Sequence, residues 1–177
     1  AGRVHAKATV SGSTVGENVE VHVKVNTAAN LDYQANNSPA NRDIKIVLVG
    51  DAKGDAVIKQ REGVNVVVAG AEENTFDGTI TVNGDARYDG KETLKFEGIN
   101  FKSNAKKDFI SAPTKIDNRY NYSHNITVDG CTFKGNNDVY GIRVRNGYNY
   151  TVKNTTVEGV YTFLNASEAL TGLTVEN

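Results

Sequence analysis

The sequence predicts an all-β fold: a right-handed, single-stranded parallel β-helix with three strands per coil and about 4–5 coils, preceded by an N-terminal β cap. A pattern of five residues recurs along the chain. Three residues alternate inward, outward and inward, then comes one residue that is polar in four of the five copies, then Gly or Asn. The copies occupy residues 66–70, 94–98, 126–130, 150–154 and 173–177. Their starts are 28, 32, 24 and 23 residues apart, which is a spacing typical of repeat architectures.

The last position of the pattern predicts a bend at the same phase of every coil. Gly, and after it Asn, tolerate a left-handed backbone better than other residues. The predicted bend column consists of Gly70, Gly98, Gly130, Asn154 and Asn177. An antiparallel sandwich also has short strands and regular turns, but it offers no reason for Gly or Asn at one fixed phase. The parallel β-helix is therefore the favoured architecture.

Two further strands complete each predicted coil. A second strand follows the bend directly, at 99–101, 131–133 and 155–157, and a third follows at variable distance, at 108–111, 140–144 and 160–164. Parallel pairing between coils stacks like residues above one another. The predicted inward columns are Leu94, Ile126, Tyr150 and Leu173, and beside them Phe96, Val128, Val152 and Val175.

This repeat resembles the pectate-lyase-like superfamily of right-handed parallel β-helices. Its members include polysaccharide lyases and hydrolases, phage tailspikes and bacterial surface proteins. The resemblance covers about residues 44–177 and concerns architecture, since no motif of a particular family matches. No catalytic residue is carried over from it. A lyase would use calcium, for which the turn aspartates of this chain lack the dense spacing of a calcium loop, and we expect no cofactor.

The chain divides into two predicted parts. Residues 1–43 form N-terminal strands and a capping segment, in which 26–43 is a loop or at most a short helix near 28–34. Residues 44–177 form the β-helix. The last residue is the bend position of the fifth copy, so we expect an incomplete coil at that end, where the chain continues or a second copy stacks.

Composition narrows the classes of function. The formal charge of −1 and the pI near 6.4 provide no basic footprint for nucleic acid. No apolar stretch approaches the roughly 20 residues of a membrane helix, so we expect no membrane insertion. Cys131 is the single cysteine, which excludes an intramolecular disulfide and predicts a buried, inert thiol. With the architecture, these features favour an extracellular or cell-surface protein.

The candidate binding surface lies in the turns between coils. The longest turn, 113–125, is rich in aromatic and polar side chains, and stacking would bring it beside two other turns with tyrosines. Flat rings beside hydrogen-bonding groups suit the faces of sugars. The predicted ligand-binding residues are Tyr88, Arg119, Tyr120, Tyr122, His124 and Tyr148. The alternative is that these turns fold over the barrel and their tyrosines only pack against it.

No catalytic constellation is evident. Asp108, Asp138 and Glu158 fall in different coils and at different phases, whereas hydrolysis needs two facing carboxylates. Arg143 and Arg145 point outward and could pair with the aspartates. We therefore expect a non-enzymatic module that binds a glycan, polysaccharide or protein partner, serves in adhesion, or acts as a rigid spacer. The alternatives are a fragment of a polysaccharide lyase or glycoside hydrolase, and a filament or tailspike-type subunit that self-associates end to end.

Overall fold

The computed structural model describes residues 4–5, 20–84 and 90–176, and within them the chain forms a parallel β-solenoid of about six turns. The predicted parallel β-helix is confirmed, while its right-handed winding stays a prediction. The strands of the three solenoid faces pair in parallel with the strand one turn away, so their backbone hydrogen bonds run between turns. Long strands turn the corners between faces, and their pairing shifts register at the corner, after Leu48 in β3 and after Val144 in β14.

Three faces make up the solenoid. The first face contains β2 (Val21–Val25), β3 (Ile44–Lys53), β5 (Val66–Asp77), β7 (Leu94–Glu97), β12 (Ser123–Asp129), β14 (Tyr140–Lys153) and β16 (Thr162–Glu176). The second face contains the ends of β3 and β5, then β8 (Asn100–Lys102), β13 (Thr132–Lys134) and β15 (Thr156–Glu158). The third face contains β4 (Ala56–Lys59), β6 (Ile80–Asn83), β9 (Ile110–Ala112) and the starts of β14 and β16.

The remaining elements lie at the ends and corners of the stack. They are β1 (Val4–His5), α1 (Ala28–Asn37), and a small antiparallel ribbon of β10 (Lys115–Ile116) and β11 (Arg119–Tyr120). The ribbon belongs to the turn that sequence analysis identified as the longest. It projects from the corner between the third face and the first.

The predicted inward columns hold through most of the stack. Ile126 lies opposite Leu94 on one side and Tyr150 on the other, and all three are buried. The last rung departs from the prediction, because Leu173 is 46% exposed and Val175 is 68% exposed. Both follow the inward register, but no described strand covers the other side of β16.

Stacked phenylalanines fill the core behind the second face. The Phe101 and Phe133 rings stack with centroids 4.7 Å apart, and Phe101 also lies 6.2 Å from Phe76 and from Phe96 and 5.8 Å from Phe109. All five rings are at most 1% exposed. The parallel register explains this stacking, since it places Phe101 next to Phe76 and Phe133 on adjacent rungs.

Cys131 is buried beside this core, as predicted. Its thiol donates to the Phe96 carbonyl at 3.5 Å. Burial raises the pKa of Cys131 to about 11, so at neutral pH the sulfur stays protonated and unreactive.

The bend column is confirmed at three positions and wrong at one. Gly98, Gly130 and Asn154 have φ values of 64°, 63° and 51°. Gly70 is not a left-handed bend: its φ is not positive, and β5 continues through it with a register shift against β3 just beyond. It is required for another reason: a Cβ there would lie 2.1 Å from the Gly98 carbonyl oxygen and 2.3 Å from the Asn74 amide nitrogen. Asn177 lies outside the described residues.

A second left-handed column went unnoticed in the sequence. Asn125, Asn149 and Gly172 have φ values of 52°, 57° and 81°, and each directly precedes a strand segment of the first face. The Asn149 side-chain amide donates to the Asn125 side-chain oxygen at 3.1 Å. The asparagines that directly precede these strand segments are visible in the sequence and could have predicted this column.

The two kinds of glycine predict different responses to substitution. Gly130→Asn should change the free energy of unfolding by less than about 1 kcal/mol, since Asn tolerates the left-handed region and the position of an added Cβ is open. Gly130→Val should cost about 1–3 kcal/mol, because a β-branched residue does not tolerate that conformation. Gly70→Asn should also cost about 1–3 kcal/mol, through overlap with neighbouring atoms. Urea denaturation measures all three, and equal stability of the two Asn variants would contradict this distinction.

At the N-terminal end, β1 pairs with β2 in an antiparallel arrangement. Strand β2 pairs in parallel with β3, so the stack already includes Val21. Helix α1 covers the free edge of β4 with side chains. Asp32 accepts from the Val57 amide at 2.8 Å, and Asn36 accepts from the Lys59 amide at 2.8 Å. These contacts satisfy edge groups that would otherwise be available to another chain.

Candidate ligand groove

A groove crosses the outside of the third face. Its floor includes Thr81, Ser111 and Arg143, which are aligned on three successive rungs of β6, β9 and β14. The strand alternation turns these side chains outward while Ile80, Ile110 and Ile142 enter the core. Two adjoining sections, of about 350 Å³ and about 500 Å³, share Asp108, Ser111 and Arg143.

Charged side chains from the second-to-third corner border the larger section. The Lys106 ammonium lies 3.2 Å from Asp138, and the Lys107 ammonium lies 2.9 Å from Asp55. The amide of Thr79 donates to Asp55. This hydrogen bond, together with Lys107, lowers the pKa of Asp55, so its carboxylate is ionised at neutral pH.

Arg143 occupies the centre of the groove. Its Nη1 lies 3.8 Å from Asp108, beyond hydrogen-bond distance, and its guanidinium carbon lies 5.2 Å from the centre of the Tyr140 ring. Asp108 is itself held by the Tyr140 amide, which donates to it at 3.1 Å. The predicted proximity of Arg143 to Asp108 is therefore present as a loose ion pair.

The predicted row of tyrosines lies at the corner beyond the smaller section. The Tyr120 and Tyr122 ring centroids are 6.2 Å apart, and the Tyr122 and Tyr148 centroids are 6.0 Å apart. Tyr120 is 54% exposed, whereas Tyr122 and Tyr148 are half-buried. The Lys115 ammonium lies 4.7 Å from the centre of the Tyr120 ring and also lines the groove. Lys115 therefore connects the groove to the row of tyrosines.

The other predicted ligand-binding residues lie in different environments. Arg119 is exposed on β11, opposite Ile116 in the ribbon. Tyr88 lies outside the described residues. The prediction for His124 is wrong: its side chain is only 1% exposed. Its Nε2 lies 3.4 Å from Glu92, and Gln60 binds its backbone amide and carbonyl at 3.0 Å and 2.6 Å, which draws this residue into the corner.

Asn121 anchors the tyrosine turn and was missed by sequence analysis. Its side-chain amide donates to the carbonyls of Val82 and Pro113 at 3.0 Å and 2.9 Å, and its side-chain oxygen accepts from the Gly84 amide at 2.6 Å. The residue is 1% exposed. One buried side chain thus fixes both ends of the turn to the preceding rung.

Two more tyrosines at the opposite side of the groove were also missed. The rings of Tyr140 and Tyr161 meet edge to face with centroids 5.9 Å apart, and Tyr161 is 72% exposed. The repeated dipeptide Val-Tyr, at 139–140 and 160–161, is the signal that could have revealed them. Aromatic side chains therefore lie on both sides of the polar floor.

Comparisons with protein-family models, with curated proteins and with solved structures found no match to this chain. A proposal about function therefore rests on the architecture and on the chemistry of the surface. In residues 4–5, 20–84 and 90–176, no cluster of three His, Cys, Asp or Glu side chains could hold a metal ion. None of the helices in the same described part is long and apolar enough to cross a membrane.

Proposed function

We propose that the protein is a non-catalytic, extracellular carbohydrate-binding module that holds an extended sugar chain in the groove of its third face. The observation that carries this proposal is the placement of tyrosines on both sides of a polar floor. On one side Tyr120 contacts Lys115, a groove residue, and Tyr122 and Tyr148 follow in a row; on the other Tyr140 lines the groove, with Tyr161 beside it. Membership of the pectate-lyase-like superfamily belongs to the same proposal, supported by the three parallel faces.

The chemistry of the groove suits a sugar chain. Aromatic rings offer apolar area to the C–H faces of pyranoses, and the phenol groups add hydrogen bonds. The floor supplies hydroxyl and guanidinium donors from Thr81, Ser111 and Arg143. From Tyr140 to Arg145 the strand advances by five residue steps, roughly 17 Å at the rise of a β-strand, enough for a few sugar units.

The rigidity of the scaffold also favours binding of a stiff polymer. The floor residues alternate along strands whose other side chains are fully buried, and each strand pairs with its neighbours over several residues. A preorganised surface loses little conformational entropy when it binds a ligand. The groove therefore needs no rearrangement to contact several sugars at once.

A glycan array with the wild-type protein and the Tyr120/Tyr122/Tyr148→Ala variant tests the proposal. We expect the variant to bind array glycans about tenfold more weakly or worse, because buried aromatic contacts dominate such interfaces. Tyr33→Ala is the matched control, since Tyr33 is 61% exposed on α1, away from the groove. A wild-type protein that binds no glycan would defeat the proposal and leave only a spacer role.

A further inference from the structure

The two sections of the groove differ in their balance of charge. The larger section is lined by three cations and three carboxylates: Lys106, Lys107 and Arg143 against Asp55, Asp108 and Asp138. Among the side chains that the structure describes, the smaller section is lined by three cations, Lys115, Arg143 and Arg145, and by one carboxylate, Asp108. Since Lys and Arg are charged at neutral pH, one end of the groove is electrically balanced and the other has an excess of positive charge.

The pairing of side chains sharpens this asymmetry. Lys106 and Lys107 each form an ion pair with an aspartate at the balanced end. At the other end, none of the carboxylate side chains that the structure describes forms an ion pair with Lys115 or Arg145. Lys115 contacts the Tyr120 ring, and Arg145 donates to the Ser167 hydroxyl, which is a neutral partner.

Arg143 adds a third available cation at this end. Its nearest aspartate oxygen is 3.8 Å away, and its buried Nε has no hydrogen-bond partner among the described residues. The three cations surround a section of about 350 Å³, the size of a small ligand site. The whole chain carries a net charge of −1, so the excess is local rather than a general property of the surface.

From this geometry we infer that the smaller section binds an anionic substituent, a carboxylate or a sulfate, carried by the sugar chain. The inference rests on the proposed function and names the class of its ligand. A guanidinium presents paired donors that match the two oxygens of either anion. The balanced section holds neutral sugar units, while Arg145 and Lys115 select the charged one.

Affinity gel electrophoresis with matched soluble polymers provides the test. Desulfated κ-carrageenan and κ-carrageenan share a galactan backbone and differ in sulfate, whereas hydroxyethyl cellulose and carboxymethyl cellulose share a glucan backbone and differ in carboxylate. We expect at least one anionic polymer to bind roughly tenfold more tightly than its neutral partner. A preference for κ-carrageenan alone assigns sulfate, and a preference for carboxymethyl cellulose alone assigns carboxylate.

Substitutions locate the preference within the groove. Arg145→Gln and Lys115→Gln should each remove most of the preference for the anionic polymer, while Lys24→Gln, an exposed lysine on β2, should keep it. Lys115 is exposed on the ribbon, so its variant stays informative if Arg145→Gln impairs folding.

Equal binding of both members of each pair, or equal loss in Lys24→Gln, would overturn the inference. If the protein binds glycans on the array without a preference for charged ones, only this inference is overturned. If it binds no glycan on the array, the proposed function is overturned as well.

Discussion

Replacing Phe101 with Ala is expected to lower the free energy of unfolding by about 3–5 kcal/mol, the typical cost of a large aromatic deletion in a core. Phe101 is fully buried and contacts the rings of Phe76, Phe96, Phe109 and Phe133. Removal of its ring leaves a cavity that the stacked rungs cannot close, because each rung is held at a fixed distance by parallel hydrogen bonds. Urea denaturation followed by circular dichroism measures the loss.

Two matched variants separate the cavity from other effects. Phe101→Leu keeps most of the volume and should lose distinctly less stability than Phe101→Ala. Val57→Ala removes an apolar side chain that is 40% exposed on β4 and should stay within about 1 kcal/mol of wild type. A loss for Phe101→Ala no larger than that for Val57→Ala would mean that the phenylalanine stack does not dominate the core.

Asn121→Ala is expected to cost on the order of 3 kcal/mol, since a buried group left without a hydrogen bond costs about 1–3 kcal/mol. The substitution leaves three backbone groups unpaired: the Gly84 amide and the carbonyls of Val82 and Pro113. The turn that carries Tyr120 and Tyr122 would also lose its attachment to the rung below. We therefore expect glycan binding to fall along with stability.

The control for Asn121 is Asn37→Ala. Asn37 is exposed on α1, where its side chain binds only the Tyr33 carbonyl, so the change in stability should stay within about 0.5 kcal/mol. Thermal unfolding and the glycan array are measured on both variants. An Asn121→Ala protein with wild-type stability and unaltered binding would show that the turn is held by other contacts.

The repeat made the fold predictable because its signals are local. Alternation of apolar residues specifies which side of a strand faces inward, and Gly or Asn after the strand marks a left-handed bend. These features predicted the inward position of Ile126 and the bend at Gly130, both of which the structure confirms. Gly70 is a glycine at the same position of the repeat, but it is not a bend, since β5 continues past it. Glycine is needed there because a side chain would overlap the Gly98 carbonyl and the Asn74 amide.

The candidate site was predictable only where its residues share one turn or one stacking position. Tyr120, Tyr122 and Tyr148 met this condition, and their rings do lie in a row. His124 did not follow, because Gln60, 64 residues earlier in the chain, binds its backbone and draws it inside. No local feature of the sequence indicates a hydrogen-bond partner that is so far away in the chain.

The sequence by itself determined the repeat, the phase of three bends, the inward columns and the row of tyrosines, since each depends on residues close together in the chain or one period apart. Only the tertiary structure decided the groove. Asp55, Asp108 and Arg143 come from three different rungs, and the variable lengths of the turns between second and third strands determine which of them meet. Lys115, on the turn after β9, and Arg145, on β14, meet at the other end of the groove. No carboxylate side chain that the structure describes pairs with either of them, and this sets the charge of the end that we assign to an anion.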